Sequence, residues 1–149
     1  MYAIVVVALA GWLMVGWMGM TTRAMETQQT VVKGDSDALN FLNYRNAVVR
    51  YLSTNSVTNG VVDDAALTWT AGFVRDSRWT NVVASKVLYV YSVAPPTPSL
   101  VNAIAERTWK AQTVGVKDAA GTLKTTTGQS IAISLPAAIP VGSLVYFGK

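Results

Sequence analysis

The chain has 149 residues, with an apolar fraction of 51% against only 13% charged residues and a formal net charge of +4. It contains no cysteine and no histidine, which excludes disulfide frameworks, thiolate or imidazole metal sites and every nucleophile that needs a Cys–His or histidine base. The twelve Lys and Arg are scattered singly rather than clustered, so they read as solvated surface charge and not as a nucleic-acid footprint.

The apolar residues are concentrated at the start. Tyr2 to Met20 is 19 consecutive positions without a charge, and at ~1.5 Å per residue a helix of that length nearly spans a ~30 Å hydrocarbon core. No Lys or Arg precedes Arg23, and no Ala-x-Ala site follows the apolar run. The segment therefore reads as an uncleaved transmembrane anchor over 1–22 rather than a signal peptide. Trp17 suits an interfacial position, Trp12 falls near mid-bilayer, and Gly11, Gly16 and Gly19 form no strict Gly-x-x-x-Gly pair. Charge alone does not orient the segment, because Arg23, Glu26 and Lys33 nearly cancel on the far side.

Residues 23–34 turn polar and read as a short stalk in which the helix breaks near Gly34. From there one domain over 35–149 is expected. Asp35 and Ser36 are good N-cap residues for an amphipathic helix from Ser36 to Ser53, with Leu39, Leu42, Val49 and Leu52 as the face turned to the core and Phe41, Val48 and Tyr51 beside them. Asn55 and Asn59-Gly60 stop it, and Asp63 or Asp64 caps a further brief helix through Leu67. Val82 to Val93 is dense in Val, Leu and Tyr and reads as the central strand.

The prolines of Ala94 to Pro98 interrupt any ladder, and Ser99 is the expected cap of a helix to about Lys110. Turn-punctuated segments at Val114 to Lys117, Leu123 to Thr126 and Ile131 to Leu135 suggest a β-meander, and Val141 to Phe147 a final strand after Pro136 and Pro140. Helices first and strands mainly later argue for an α+β fold, with helices packed on one face of a mainly antiparallel sheet.

Chemistry-bearing constellations are sparse. Asp63-Asp64 and Asp35-x-Asp37 lack the further oxygen ligands and the glycine turn of a calcium loop. Neither phosphate-binding glycine loop occurs, and nothing local supports a Ser-Lys or carboxylate hydrolase. No catalytic, cofactor-binding or metal-ligating residue is assigned, and the chain is expected not to be an enzyme. Trp69, Phe73, Trp79 and Trp109, with Tyr89, Tyr91 and Tyr146, either build the core or line a binding groove, and core packing is the simpler reading.

Three stretches together resemble the small PilM family of type IVb and conjugative thin-pilus systems, which shares only its name with the actin-like PilM ATPase. They are Asn43-Tyr44-Arg45-Asn46-Ala47-Val48-Val49-Arg50-Tyr51 followed by Asn59-Gly60; Trp79 with Tyr89-Val90-Tyr91; and Leu135-Pro136 with Ile139-Pro140-Val141-Gly142-Ser143-Leu144-Val145. The resemblance implies a non-catalytic inner-membrane accessory of pilus biogenesis, held through residues 2–20, with its domain in the periplasm binding other pilus-assembly proteins. The apolar N-terminal segment is also similar to that of a pilin, but Glu26 follows the segment instead of heading it, so a minor pilin is the second expectation. A cleaved, secreted binding domain is the third. Oligomeric state is open at this level.

Overall fold

A computed structural model describes residues 2–148, with side chains from residue 26 onward except that of residue 27. The expected anchor, with Trp12, Trp17 and the glycines at 11, 16 and 19, lies outside the described side chains. Among those that are described, no helical stretch is long and apolar enough to cross a membrane.

The first element is one helix, α1, over Tyr2–Thr54. It does not break near Gly34, and no new helix starts at Ser36. Gly34 is buried because α2 crosses against it: a Cβ there would lie 2.8 Å from the backbone carbon and Cβ of Ser99. The glycine expected to end a helix instead admits a neighbouring one, and the local helical cost of about 1 kcal/mol relative to alanine is offset by packing. Asp35, expected to cap, receives two hydrogen bonds from the Arg107 guanidinium, at 3.0 and 2.6 Å.

Residues 26 and 28–33 of α1 are exposed, and burial begins at Gly34. Beyond it the buried stripe is Ala38, Phe41, Tyr44, Ala47 and Val48, three-residue steps with Val48 four residues beyond Tyr44, which keep one helical face inward. This corrects the expected face by about one residue. Leu39 is 45% exposed, while Leu42, Val49 and Leu52 flank the core rather than form its centre.

A loop with one turn of 3-10 helix at Asp64–Ala66 follows, capped by Asp63, whose carboxylate accepts from the Ala65 N–H at 3.0 Å. The expected single strand over Val82 to Val93 is a hairpin of β1 (Trp79–Ala84) and β2 (Val87–Ser92). Its two-residue turn uses Ser85 and Lys86, both left-handed at φ 51° and 67°, the geometry that matches strand twist. The usual Asn-Gly signal is missing because the stabilising groups come from elsewhere. The Asn59 side chain accepts from the Ser85 N–H at 2.9 Å, and the Thr58 carbonyl accepts from Lys86 at 3.0 Å.

Helix α2 spans Pro98–Arg107, and its cap is Thr97 rather than Ser99. It ends three residues before the expected Lys110, with Trp109 and Lys110 both left-handed at φ 53° and 54°. Strands β3 (Val114–Lys117), β4 (Leu123–Thr125), β5 (Ser130–Ile131) and β6 (Leu144–Phe147) complete a six-stranded antiparallel sheet in the order β1-β2-β6-β3-β4-β5. The last strand thus inserts between β2 and β3, closing the sheet around the C-terminus. The segment Val87–Tyr91 and the final strand, which begins at Leu144 rather than Val141, lie in this one antiparallel sheet and are direct neighbours in it: Tyr89 faces Phe147, and Tyr91 faces Val145.

The strand pleat separates two cores. Helices α1 and α2 cover one face, burying Trp79, Val83, Leu88, Val90, Val114 and Leu144 together with Leu100 and Ile104. On the other face Leu135 and Ile139, from the β5–β6 connection, fold over Tyr89, Tyr91, Leu123 and Val145. Lys117 fastens this flap from the sheet, its buried ammonium donating to the carbonyls of Pro136 and Ile139 at 3.0 and 2.8 Å.

Candidate functional site

The acidic residues singled out in the sequence are each committed to the fold. Asp37 and Asp76 share the Arg78 guanidinium, at 2.7 and 2.6 Å, and that guanidinium also lies 4.8 Å from the centre of the Trp79 ring. Hydrogen bonding to Arg78 holds the Asp76 carboxyl below its ordinary range, and the two carboxylates raise the Arg78 pKa further.

Asp64 pairs with Arg75 at 2.8 Å and accepts from the Tyr44 hydroxyl at 3.2 Å. That hydroxyl in turn accepts from the buried Asn81 amide at 2.8 Å. Burial, set against the Asn81 hydrogen bond, pushes the Tyr44 phenol above its ordinary range. These ties bind the long loop between α1 and β1 to both elements, so the carboxylates act as structural clips. Among the described residues no three of Asp, Glu, His or Cys come together to hold a metal ion.

The aromatic residues do not converge on one groove. Trp79 is fully buried and meets Phe41 edge-on at 5.2 Å. Tyr44, Trp69 and Phe73 stack in series at 6.0 and 5.2 Å. Tyr89 and Tyr91 belong to the opposite core, where burial raises their pKa values. Tyr146 receives the Arg45 guanidinium over its ring at 4.3 Å. Core packing therefore accounts for most of them, and Trp109 alone of the set stands almost wholly in solvent, 92% exposed.

What the molecule offers outward is contact surface. One shallow hollow lies between α1 and the β2–α2 loop, lined by Glu26, Thr30, Lys33, Arg78 and Thr97. A second lies where Leu39, Asn40 and Asn43 of α1 meet Phe73 and Val74. Around these hollows Val31, Val32, Leu39 and Val74 are exposed apolar residues, and contiguous exposed apolar surface marks contact regions, while the exposed Trp109 is of the aromatic type that often anchors interfaces. The sequence gives no direct signal for this surface, because the apolar periodicity of α1 serves core and exterior alike.

The fold and surface define a small α+β protein with a long N-terminal helix, in which Asp35, Asp37, Asp64 and Asp76 form ion pairs with arginines. Two solved structures are similar to it. A PilM protein from Escherichia coli B7A is 23% identical, with 80% of this chain and 94% of that one covered at a TM-score of 0.63. A pilM protein from Pseudomonas aeruginosa 2192 is 30% identical, with 78% and 95% covered at a TM-score of 0.48. No curated protein matches the chain. The family model for PilM matches residues 6–147, and the chain belongs to this pilus-related family.

Proposed function

We propose that this PilM-family chain is a non-catalytic inner-membrane accessory of type IV thin-pilus biogenesis, anchored through residues 2–20 and contacting other assembly proteins through a periplasmic domain. The observation that carries the reading is α1, a single helix over Tyr2–Thr54 that leads from the charge-free segment straight into the domain core. A continuous helix transmits position and orientation rigidly, so an anchored domain would be held at a set height above the bilayer, ~1.5 Å per residue. Confinement to one membrane also raises the effective concentration of partners, so modest contacts suffice.

The carboxylates support the non-catalytic reading in a specific way. Asp35, Asp37, Asp64 and Asp76 are all paired with arginines, so each is engaged in holding the fold.

The experiment is deletion of the gene followed by complementation. The full chain should restore surface pili, whereas the domain from residue 24 onward, exported on a cleavable signal, should not. Restoration by the unanchored domain would remove the anchor from the function. A minor pilin-like subunit is the second reading, favoured by the same undivided α1 packed on an antiparallel sheet, and it requires the chain to appear in sheared fibres.

A further inference from the structure

The exposed side of α1 carries a pattern that the domain core does not use. Gln29, Val32, Ser36, Leu39 and Asn43 follow one another at three- and four-residue steps and are all exposed. Val32 is 68% and Leu39 45% exposed, seven residues apart, which places them on one line of a helix two turns apart. None of the five is charged. In sequence the same spacing continues toward the N-terminus through Met25, Thr22 and Met18, again without a charge. The charged residues of this stretch, Arg23, Glu26, Lys33, Asp35, Asp37 and Arg45, all fall off the line.

We propose that this uncharged seam is the pairing face of α1 for a second copy of the chain, the two helices lying parallel and in register. The inference rests on the anchored reading, since two copies held by the same N-terminal segment emerge from one membrane pointing the same way. In such a pair each seam residue faces its own counterpart, so a single charge on the seam would meet itself. Its absence over seven consecutive seam positions from Thr22 to Asn43 is the feature that favours a second copy over a partner of complementary charge.

The residue types agree with this occupant. Val32 and Leu39 supply the apolar steps of a heptad, Ser36 is small enough to let the backbones approach, and Asn43 facing Asn43 gives the polar pair that fixes register in parallel helix pairs. The seam also reaches the shallow hollow beside Leu39 and Asn43, whose far wall includes Val74, 79% exposed. Val74 of one copy is thereby placed to cover the other copy's helix. The next position in the series, Asn46, is also uncharged, and the seam ends one step later at Arg50, where a charge returns.

The chain has no native cysteine, so Val32→Cys and Leu39→Cys each introduce a single thiol. Val31, 61% exposed and one residue off the seam, provides the control Val31→Cys. Isolated membranes carrying each full-length variant are treated with a short bismaleimide and resolved by mass. Pairing in register gives an adduct of twice the 15.9 kDa chain mass for both seam variants and little for Val31→Cys. Equal adduct for all three, adduct at only one seam position, no adduct, or an adduct of another mass overturns the proposal, the last by assigning the seam to a different partner. The same preparations are fractionated with carbonate. A chain retained in the membrane without seam adducts defeats pairing alone, whereas seam adducts from a chain released by carbonate defeat the anchor alone.

Discussion

Asn81 shows how one side chain can decide the path of a loop. It is buried on β1, accepts from the Val62 N–H at 2.8 Å, and donates to the Val62 carbonyl at 3.0 Å and the Tyr44 hydroxyl at 2.8 Å. Replacing it with alanine leaves the Val62 N–H and carbonyl without partners in a buried site while the Tyr44 hydroxyl keeps Asp64, and each stranded group costs about 1–3 kcal/mol. Asn81→Ala should therefore lower the chemical-denaturation midpoint clearly, whereas a change at the exposed Val61 should leave it near wild type. An unchanged midpoint for Asn81→Ala would show that water or a rearranged loop replaces the amide. Neither this role nor that of Gly34 could be read from the sequence, because both depend on what another segment brings close: Val62 in one case, Ser99 in the other.

At the scale of elements, the parts that were legible are those whose signals are local. The 3-10 turn at Asp63, the meander strands β3 and β4, and the existence of β6 as a final strand follow from capping chemistry, turn residues and period-two alternation. The β1–β2 hairpin was hidden because its turn, Ser85-Lys86, is held by Asn59 and Thr58 rather than by its own residue types. The α1 face was displaced because apolar residues occur on two sides of the helix, and the sequence alone does not say which side meets the sheet. The α2 start was displaced because Thr97 and Ser99 are both competent caps. Only Thr97 accepts from a helical N–H, that of Leu100 at 3.3 Å. Thr97→Ala should cost about 0.5–2 kcal/mol, the usual range for a lost N-cap, and Ser99→Ala distinctly less, as compared by urea titration of the two variants. Equal losses would return the cap to Ser99.

The Asp37–Arg78–Asp76 clip ties α1 to the β1 entry, and its pH dependence follows from the Asp76 shift. Arg78 holds the Asp76 carboxyl below its ordinary range, so the folded chain keeps it charged where the unfolded chain already takes up a proton. That contribution is complete above the ordinary carboxylate value and is lost as pH falls through the depressed folded value. Asp76→Asn should thus be less stable than wild type at neutral pH and lose less on acidification between about pH 5 and pH 2. Asp118, also shifted down by the Thr122 hydroxyl, keeps the slope from vanishing. Parallel thermal-denaturation curves for the two proteins over that window would contradict a role for the Asp76–Arg78 bond.

For the whole molecule, the PilM family match over residues 6–147 and the single helix running from the apolar segment into the domain core set the terms of the account. Among the described residues no three of Asp, Glu, His or Cys come together to hold a metal ion, and exposed apolar residues lie along α1 and also at Val61, Val74, Val93, Trp109 and Val141. Its proposed work is therefore to stand at a fixed distance from the inner membrane and present surfaces to the pilus machinery. The family could be read from the residue patterns at Asn43 to Tyr51 and Leu135 to Val145, whereas the outward face of α1 became apparent only when the buried stripe was known. Protease added to intact spheroplasts distinguishes a periplasmic domain from a cytoplasmic one. Digestion of the domain beyond Arg23 is expected, with a membrane-retained N-terminal fragment and an untouched cytoplasmic control. A domain fully protected until the spheroplasts are lysed would contradict the periplasmic placement and the accessory role built on it.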